Sequence, residues 1–321
     1  MNKKKAKIRC VTYGGRFGWF LRKHFSKYTS WAYLEYQYFI RKKLFKKYID
    51  FFDKSFEKGI VVLPCLISIE TINRCNSTCS FCPANRFDDK RPLAKMDEQL
   101  FKKIIDELAD LKYDGYLNLY VNNEPFMDSR IEEWYGYAKK MLPNARMLLY
   151  TNGTLLTVER FRKVIPNIDK MIINNYSENF SIHKNVQAIY DLVMNDSSYW
   201  EKDITIQIRY IKEILTNRAG EAPNKRTRKE KGRICVMPFT DFTIYPNGVV
   251  GICCSDALEK TNLGNINDNK LIDIWTSDGY KLLRDTIGVN RDSYHFCKGC
   301  DFVDAGIRNN FMINKLQKEE Q

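Results

Sequence analysis

Three cysteines fall within eight residues, in the run Arg74-Cys75-Asn76-Ser77-Thr78-Cys79-Ser80-Phe81-Cys82, directly after an apolar stretch that predicts a strand. The spacing C-x3-C-x2-C puts three thiolates on one short loop, which constrains this chain more than any other feature. Three sulfur donors can hold three irons of a [4Fe–4S] cluster and leave the fourth open; an open iron is a chemical site, whereas a fully ligated cluster carries electrons. Zinc is the competing reading. It favours two C-x2-C pairs and four protein ligands in one knuckle, and no fourth Cys or His lies nearby. An odd number of closely spaced cysteines also argues against disulfides.

With the aromatic Phe81 just before the third cysteine, this run resembles the signature of the radical S-adenosylmethionine (SAM) family. The resemblance implies that Cys75, Cys79 and Cys82 are cluster ligands and that Phe81 borders the adenine. It also implies the chemistry: the open iron chelates SAM, and reductive cleavage gives methionine and a 5′-deoxyadenosyl radical that removes a hydrogen atom from substrate. The electron comes from a reductant such as flavodoxin or ferredoxin.

The 321 residues predict about two domains. The net charge of +13 is uneven: residues 1–60 hold 16 Lys and Arg against four Asp and Glu, and the other 261 hold 36 against 35. The body is near neutral and the basicity belongs to an N-terminal arm. Ten cysteines, with a loop suited to iron, predict a reducing, cytoplasmic compartment. The start of the chain has no continuous apolar segment or small-residue cleavage site, and no run approaches a membrane span.

Residues 1–30 show no clear period, whereas 31–58 predict a helix with Tyr36, Ile40, Leu44, Tyr48, Phe51 and Phe52 on one face. Arg41, Lys42, Lys43, Lys46 and Lys47 crowd the other side. This is either a helix with a solvated basic face or an arm, within residues 1–58, that touches an anionic surface; nucleic acid is the less expected partner. From residue 61 strands and helices alternate. Strands are expected at Val61–Ile69, Tyr116–Val121, Arg146–Tyr150, Lys170–Ile173 and Ile204–Tyr210. Helices are expected at Asp97–Lys112, Ser129–Leu142, Thr157–Val164 and His183–Met194, with Asp97 and Ser129 as caps. Such alternation means an α/β fold with a parallel sheet and an active site past the strand ends. The resemblance implies a partial (β/α)6 barrel over residues 61–215. The polar, basic stretch 216–233 is a linker and domain boundary, leaving 234–321 as a smaller unit.

Past the second strand comes Asn122-Asn123-Glu124-Pro125, where radical SAM proteins often carry Gly-Gly-Glu-Pro against the SAM amino group; the asparagines are a departure. Asn123 and Glu124 are assigned to SAM on that resemblance. Thr151-Asn152-Gly153 resembles the family's element near the SAM ribose. Gln207 and Arg209, two apart on the fifth strand, share a face. Arg209 is a candidate for the SAM carboxylate, with a structural salt bridge as the alternative.

A second set comprises Cys235, Cys253, Cys254, Cys297 and Cys300. Cys235 and Cys253 are joined through a predicted hairpin, Phe242–Tyr245 and Val249–Ile252, turning at Pro246-Asn247-Gly248. With Gly264-Asn265-Ile266, Leu271-Ile272-Asp273-Ile274-Trp275 and Cys297-Lys298-Gly299-Cys300, this stretch resembles the SPASM/Twitch extension of radical SAM enzymes. No cysteine follows Cys300, so the resemblance is to the shorter Twitch form. It implies one auxiliary [4Fe–4S] cluster on Cys235, Cys253, Cys297 and Cys300; structural zinc is the alternative. Cys253 and Cys254 are neighbours pointing to opposite faces, and the count from Gly248 favours Cys253. Cys10, Cys65, His24, His183 and His295 take no functional role.

The expected function is a radical SAM oxidoreductase that removes two electrons from a small polar or sugar-like substrate, with the auxiliary cluster as acceptor. The resemblance here is to Twitch-type dehydrogenases and sulfatase-maturating enzymes. A peptide-modifying maturase and a non-catalytic Fe–S protein are the alternatives. No residue is named as the substrate-deprotonating base.

Overall fold

The computed structural model describes residues 9–12, 15–303 and 306–319. The arm of residues 1–60 is thus described only from Arg9, and the side chain of Cys10 lies outside the description. The chain opens with β1 (Arg9–Thr12) and α1 (Gly15–Glu57). Alternation follows: β2 (Leu66–Ile69), α2 (Glu98–Asp110), β3 (Tyr116–Asn118), α3 (Ile131–Met141), β4 (Arg146–Thr151), α4 (Val158–Val164), β5 (Lys170–Ser177), α5 (Lys184–Asn195) and β6 (Asp203–Tyr210). The C-terminal stretch adds α6 (Met237–Thr240), β7 (Asp241–Ile244), β8 (Val250–Gly251), α7 (Leu271–Trp275), α8 (Asp278–Asn290) and α9 (Ile307–Glu319).

One eight-stranded sheet runs β1-β6-β5-β4-β3-β2-β7-β8, parallel throughout except for the β7–β8 hairpin. β1 and β8 are its edges, so the barrel is partial, as expected. Two features of the order are not in the local pattern. The N-terminal β1 pairs with β6, and β7 of the cysteine-rich region pairs with β2, Leu66 opposite Asp241 through Ile69 opposite Ile244. The hairpin turn itself is as predicted, with Gly248 at φ +83°.

Several boundaries differ from expectation. The first strand begins at Leu66 rather than Val61, after Pro64, which has no N–H for a ladder. β3 stops at Asn118, because the chain then turns to present residues 120–124 to the site. Ser129 does not cap α3; Arg130 precedes it and its side chain bonds Asp128. Asp97 does cap α2, accepting from Gln99 and Leu100 N–H. Helix α1 starts at Gly15, inside a stretch with no clear period, and bends at Phe25. Its buried face is also displaced by a residue: Leu34, Gln37, Phe45, Tyr48, Ile49 and Phe52 are buried, while Tyr36 and Ile40 are exposed.

The second half of α1 packs under the C-terminal region. Phe52 meets Phe239 and Trp275 edge-on, with ring centroids 5.4 and 6.1 Å apart, and Tyr48 meets Phe311. The Arg284 guanidinium lies 4.1 Å from the Trp275 ring, and burial pushes its pKa down to about 10. Residues 216–233 contain no strand, yet Asn217, Ala222 and Arg233 are buried, so this stretch is packed rather than free.

A charge network ties the first cysteine loop to the second cysteine region. Arg91 meets Asp89 at 2.8 Å, Glu259 at 2.6 Å and Glu70 at 3.7 Å. Burial dominates at Glu70 and pushes its carboxyl up to about 8. Arg91→Met leaves Glu259 without its cation and Asp89 with only Arg74 at 3.9 Å, and is expected to lower stability by about 3 kcal/mol, read as a drop in the denaturant midpoint. An unchanged midpoint refutes the network's role.

Candidate active site

Cys75, Cys79 and Cys82 follow β2 on a loop that lines a cavity of about 400 Å3. The carboxyl ends of β3 to β6 contribute Glu124, Thr151, Asn152, Asn174, Tyr176 and Arg209, and α1 adds Ser30, Tyr33 and Leu34. Active sites of parallel α/β sheets sit at this end. The Ser77 N–H donates to Cys75 Sγ at 3.4 Å, and Ser77 Oγ lies 3.1 Å from Cys79 Sγ. Burial pushes all three thiols up, Cys79 to about 12. Iron held by this loop would therefore displace the thiol protons.

Glu124 is buried, not a surface acid. Its Oε1 accepts from Thr151 Oγ1 at 2.6 Å and the Phe126 N–H at 3.2 Å, and its Oε2 accepts from the Asn152 N–H at 2.7 Å. Burial pushes its carboxyl up to about 7, and these three donors oppose the rise. Such a carboxylate suits a cationic ligand group. Asn152 Nδ2 donates to Asn76 Oδ1 at 2.8 Å, and Asn76 Nδ2 donates to Thr154 Oγ1 at 2.8 Å. The loop after β4 is thereby fastened to the cysteine loop. Gly153 sits at φ +78°, and a Cβ there would lie 2.5 Å from Val186 Cγ2, so glycine is required.

Asn122 and Asn123 fill the space two glycines would leave. Asn123 Oδ1 accepts from the Val121 N–H, and Asn122 Oδ1 accepts from Arg218 Nη2 at 2.9 Å. Arg218 Nη1 and Asn122 Nδ2 both donate to the Cys254 carbonyl, at 3.0 and 3.3 Å. One wall of the cavity is thus shared with the second cysteine region. There, Cys235, Cys297, Cys300 and Cys254 each act electrostatically on Cys253, and burial raises the Cys253 thiol well above its ordinary value. Cys254 lies on the side of Tyr120 and Arg218.

A family model described as the Radical SAM superfamily matches residues 69–187, and one described as the SPASM iron–sulfur cluster-binding domain matches 235–301. This is a radical SAM enzyme with a SPASM-type iron–sulfur region. A curated relative is the S-adenosyl-L-methionine-dependent 2-deoxy-scyllo-inosamine dehydrogenase of Niallia circulans, 26% identical over 242 residues, spanning 75% of this chain and 94% of that protein. Among solved structures, BtrN in complex with AdoMet and 2-DOIA has a TM-score of 0.66 at 24% identity, spanning 76% of this chain and 95% of that one. SuiB of Streptococcus suis bound to the precursor peptide SuiA has a TM-score of 0.52 at 13% identity, spanning 81% of this chain and 75% of that one. These two likenesses are of fold.

The radical SAM cofactors are a SAM-binding [4Fe–4S] cluster, SAM and auxiliary Fe–S. The donor sets fit them. Three thiols border the cavity, and the second set has a buried cation beside it. Arg291 is 1% exposed; Nη1 donates to the Phe302 carbonyl, but Nε and Nη2 have no partner among the described residues. Cys300, Cys235 and Cys297 act on this guanidinium and hold its charge. Orphaned donors on a cation that these thiols act on suit an anionic cluster. Arg291→Met is expected to lower the midpoint potential of the auxiliary site by on the order of 100 mV, since a hydrogen bond to a charged group contributes about 1.5–3 kcal/mol. Redox titration followed by EPR reads this, and an unmoved potential refutes it.

All predicted SAM-side residues except Gly153 line or border the one cavity, and Gly153 shapes its loop. Arg209 lies in the wall but bonds Glu213 at 2.6 Å, which is the salt-bridge alternative. Phe81 packs on Tyr176 with centroids 5.2 Å apart. His183 bonds the Tyr176 carbonyl at the start of α5, outside the site. Sequence reasoning missed Asn76, Arg218 and Arg291. Arg218 carries one signal only after folding: its φ of +50°, followed by Ala219 at +54°, marks a strained turn.

Proposed function

We propose that this enzyme is a SAM-consuming dehydrogenase that removes two hydrogens from a small polar, sugar-like substrate such as an aminocyclitol. The observation that carries the reading is the shared wall: Asn122 and Arg218 line the cavity and both bond the carbonyl of Cys254, next to Cys253. A substrate held there is one residue layer from the auxiliary site. The named activity of the Niallia circulans relative supports the same reaction class.

In this reading Cys75, Cys79 and Cys82 hold the SAM-binding cluster, and Cys235, Cys253, Cys297 and Cys300 the auxiliary one. Bound SAM and its cluster supply the 5′-deoxyadenosyl radical that takes one hydrogen atom from a substrate carbon. Glu124 accepts hydrogen bonds from the SAM amino group, Asn123 fixes the backbone beside it, and Thr151, Asn152 and Gly153 shape the ribose side. Phe81 covers the adenine. Arg209 remains paired with Glu213 and at most borders the SAM carboxylate. Arg218 faces the substrate, where its charge favours loss of the hydroxyl proton as carbon is oxidised to a carbonyl. Cys254 takes no iron. The electron donor is a small flavodoxin- or ferredoxin-like reductant, and the compartment is the reducing cytoplasm. Among the described residues no helix is long and apolar enough to cross a membrane.

Anaerobic turnover of reduced, cluster-reconstituted enzyme with SAM and a panel of aminocyclitols and amino sugars tests this. The expected product is lighter by two hydrogens, with one 5′-deoxyadenosine formed per turnover. Modification of peptides instead of sugars replaces this reading with a maturase. Intact SAM after reduction leaves an electron carrier.

A further inference from the structure

The first half of α1 presents aromatic side chains to solvent at a density that a solvated basic helix does not explain. Phe17, Tyr28, Trp31 and Phe39 are 72, 70, 55 and 82% exposed, and Phe20, Tyr33 and Tyr36 are exposed beside them. Half of the large exposed hydrophobic residues described in the chain lie between Phe17 and Ile40. Phe17, Phe20, Tyr28, Trp31 and Phe39 are spaced 3, 8, 3 and 8 apart. Beyond the bend at Phe25, Tyr28, Trp31 and Phe39 span an arc of about 80° on a helix, and before it Phe17 and Phe20 lie about 60° apart. Exposed Lys23 and Lys27 sit among them, and exposed Lys42, Lys43, Lys46 and Lys47 continue the helix. The one acidic residue between Phe17 and Lys47 is Glu35, which is bonded to Lys231 and Arg233. The outward field of this segment is therefore uniformly positive.

We propose that this face of α1 docks on an anionic lipid surface. Tyr and Trp have an apolar body and a polar tip and settle at the boundary of headgroups and acyl chains. Lysine stems add apolar cover while their ammonium groups meet lipid phosphates. Stable surface attachment takes two signals, apolar insertion and a polybasic segment, and α1 supplies both in sequence order. Charge complementarity selects this occupant over a second copy, since two such faces would oppose like charges. The docked segment also borders the active site: Ser30, Tyr33 and Leu34 line the cavity, and Ser30 Oγ donates to the Leu215 carbonyl at 3.2 Å. Docking would set the cavity beside the lipid surface. The inference stands apart from the substrate assignment.

Co-sedimentation of the full, cluster-reconstituted chain with vesicles tests it. Binding is expected to vesicles of phosphatidylcholine with about one-third phosphatidylglycerol, and to fall steeply with salt. Vesicles of phosphatidylcholine alone should bind at least tenfold less. Replacing Phe17, Tyr28, Trp31 and Phe39 with serine should lower binding at least tenfold; none of the four lines the cavity, so SAM cleavage should persist and report correct folding. Lys42, Lys43, Lys46 and Lys47 replaced with glutamine should have a comparable effect. No binding by the unaltered chain, equal binding to both vesicle types, or wild-type binding by the serine variant overturns the proposal. So does dimerisation through this face without vesicle binding.

Discussion

Replacing Cys75, Cys79 and Cys82 together with alanine is expected to lower the iron of the reconstituted chain from about eight to about four atoms and to abolish 5′-deoxyadenosine formation. Among the described residues the loop has no substitute thiol or imidazole: the other polar side chains lining the cavity are amides, hydroxyls, tyrosines, Arg209 and Arg218, apart from Glu124, which its three donors already engage. The second set is independent of it, because Cys235, Cys253, Cys297 and Cys300 come from residues beyond 234 and have their own cation in Arg291. Loss of all iron on trio replacement would mean that the second set holds none. Full iron with no SAM cleavage in the unaltered chain would remove the radical chemistry altogether.

Glu124→Gln is expected to weaken SAM binding by about tenfold or more, since a hydrogen bond to a charged group contributes about 1.5–3 kcal/mol. The amide also has one oxygen where the carboxylate has two, so an NH2 would face either the Asn152 N–H or the Thr151 hydroxyl. The pH dependence follows from the same group. Its carboxyl titrates at about 7 when folded, against 4.5 ordinarily. Between those values the folded chain holds a proton that the unfolded chain has released. Stability from this group therefore falls as pH rises from about 4.5 to 7 and is flat above. Affinity for the SAM amino group runs the other way, because the ionised carboxylate is the stronger acceptor. It should rise with pH up to about 7 and then level off. Equilibrium dialysis with the holoenzyme reads both effects. Unchanged iron in the glutamine variant shows that the loss is of SAM and not of the cluster. A variant that binds SAM normally, or keeps the slope below pH 7, refutes the assignment.

Much of the site was legible because its signals are local. The cysteine spacing, the Asn-Asn-Glu-Pro and Thr-Asn-Gly segments, and the strands that carry them can be read within short windows. Chain direction then places all of them at one end of a parallel sheet. Glu124 illustrates the limit. Its position was apparent, but its burial depends on Thr151 and Asn152, which are 27 and 28 residues away. Arg218 was hidden for the opposite reason: its stretch is rich in Arg and Lys, and composition gives no means of choosing the one that turns inward.

Spacing and periodicity alone determined that this chain carries two cysteine sets on an alternating β/α frame, because cysteine spacing and backbone period are properties of neighbouring residues. The folded structure decided how the two sets meet. It pairs β7 with β2, brings Cys254 against Asn122 and Arg218, buries Arg291 beside the second set, and turns the aromatic side of α1 outward. Each of those depends on contacts between residues far apart in the chain, where the energy lies in pairing and burial that no short window contains.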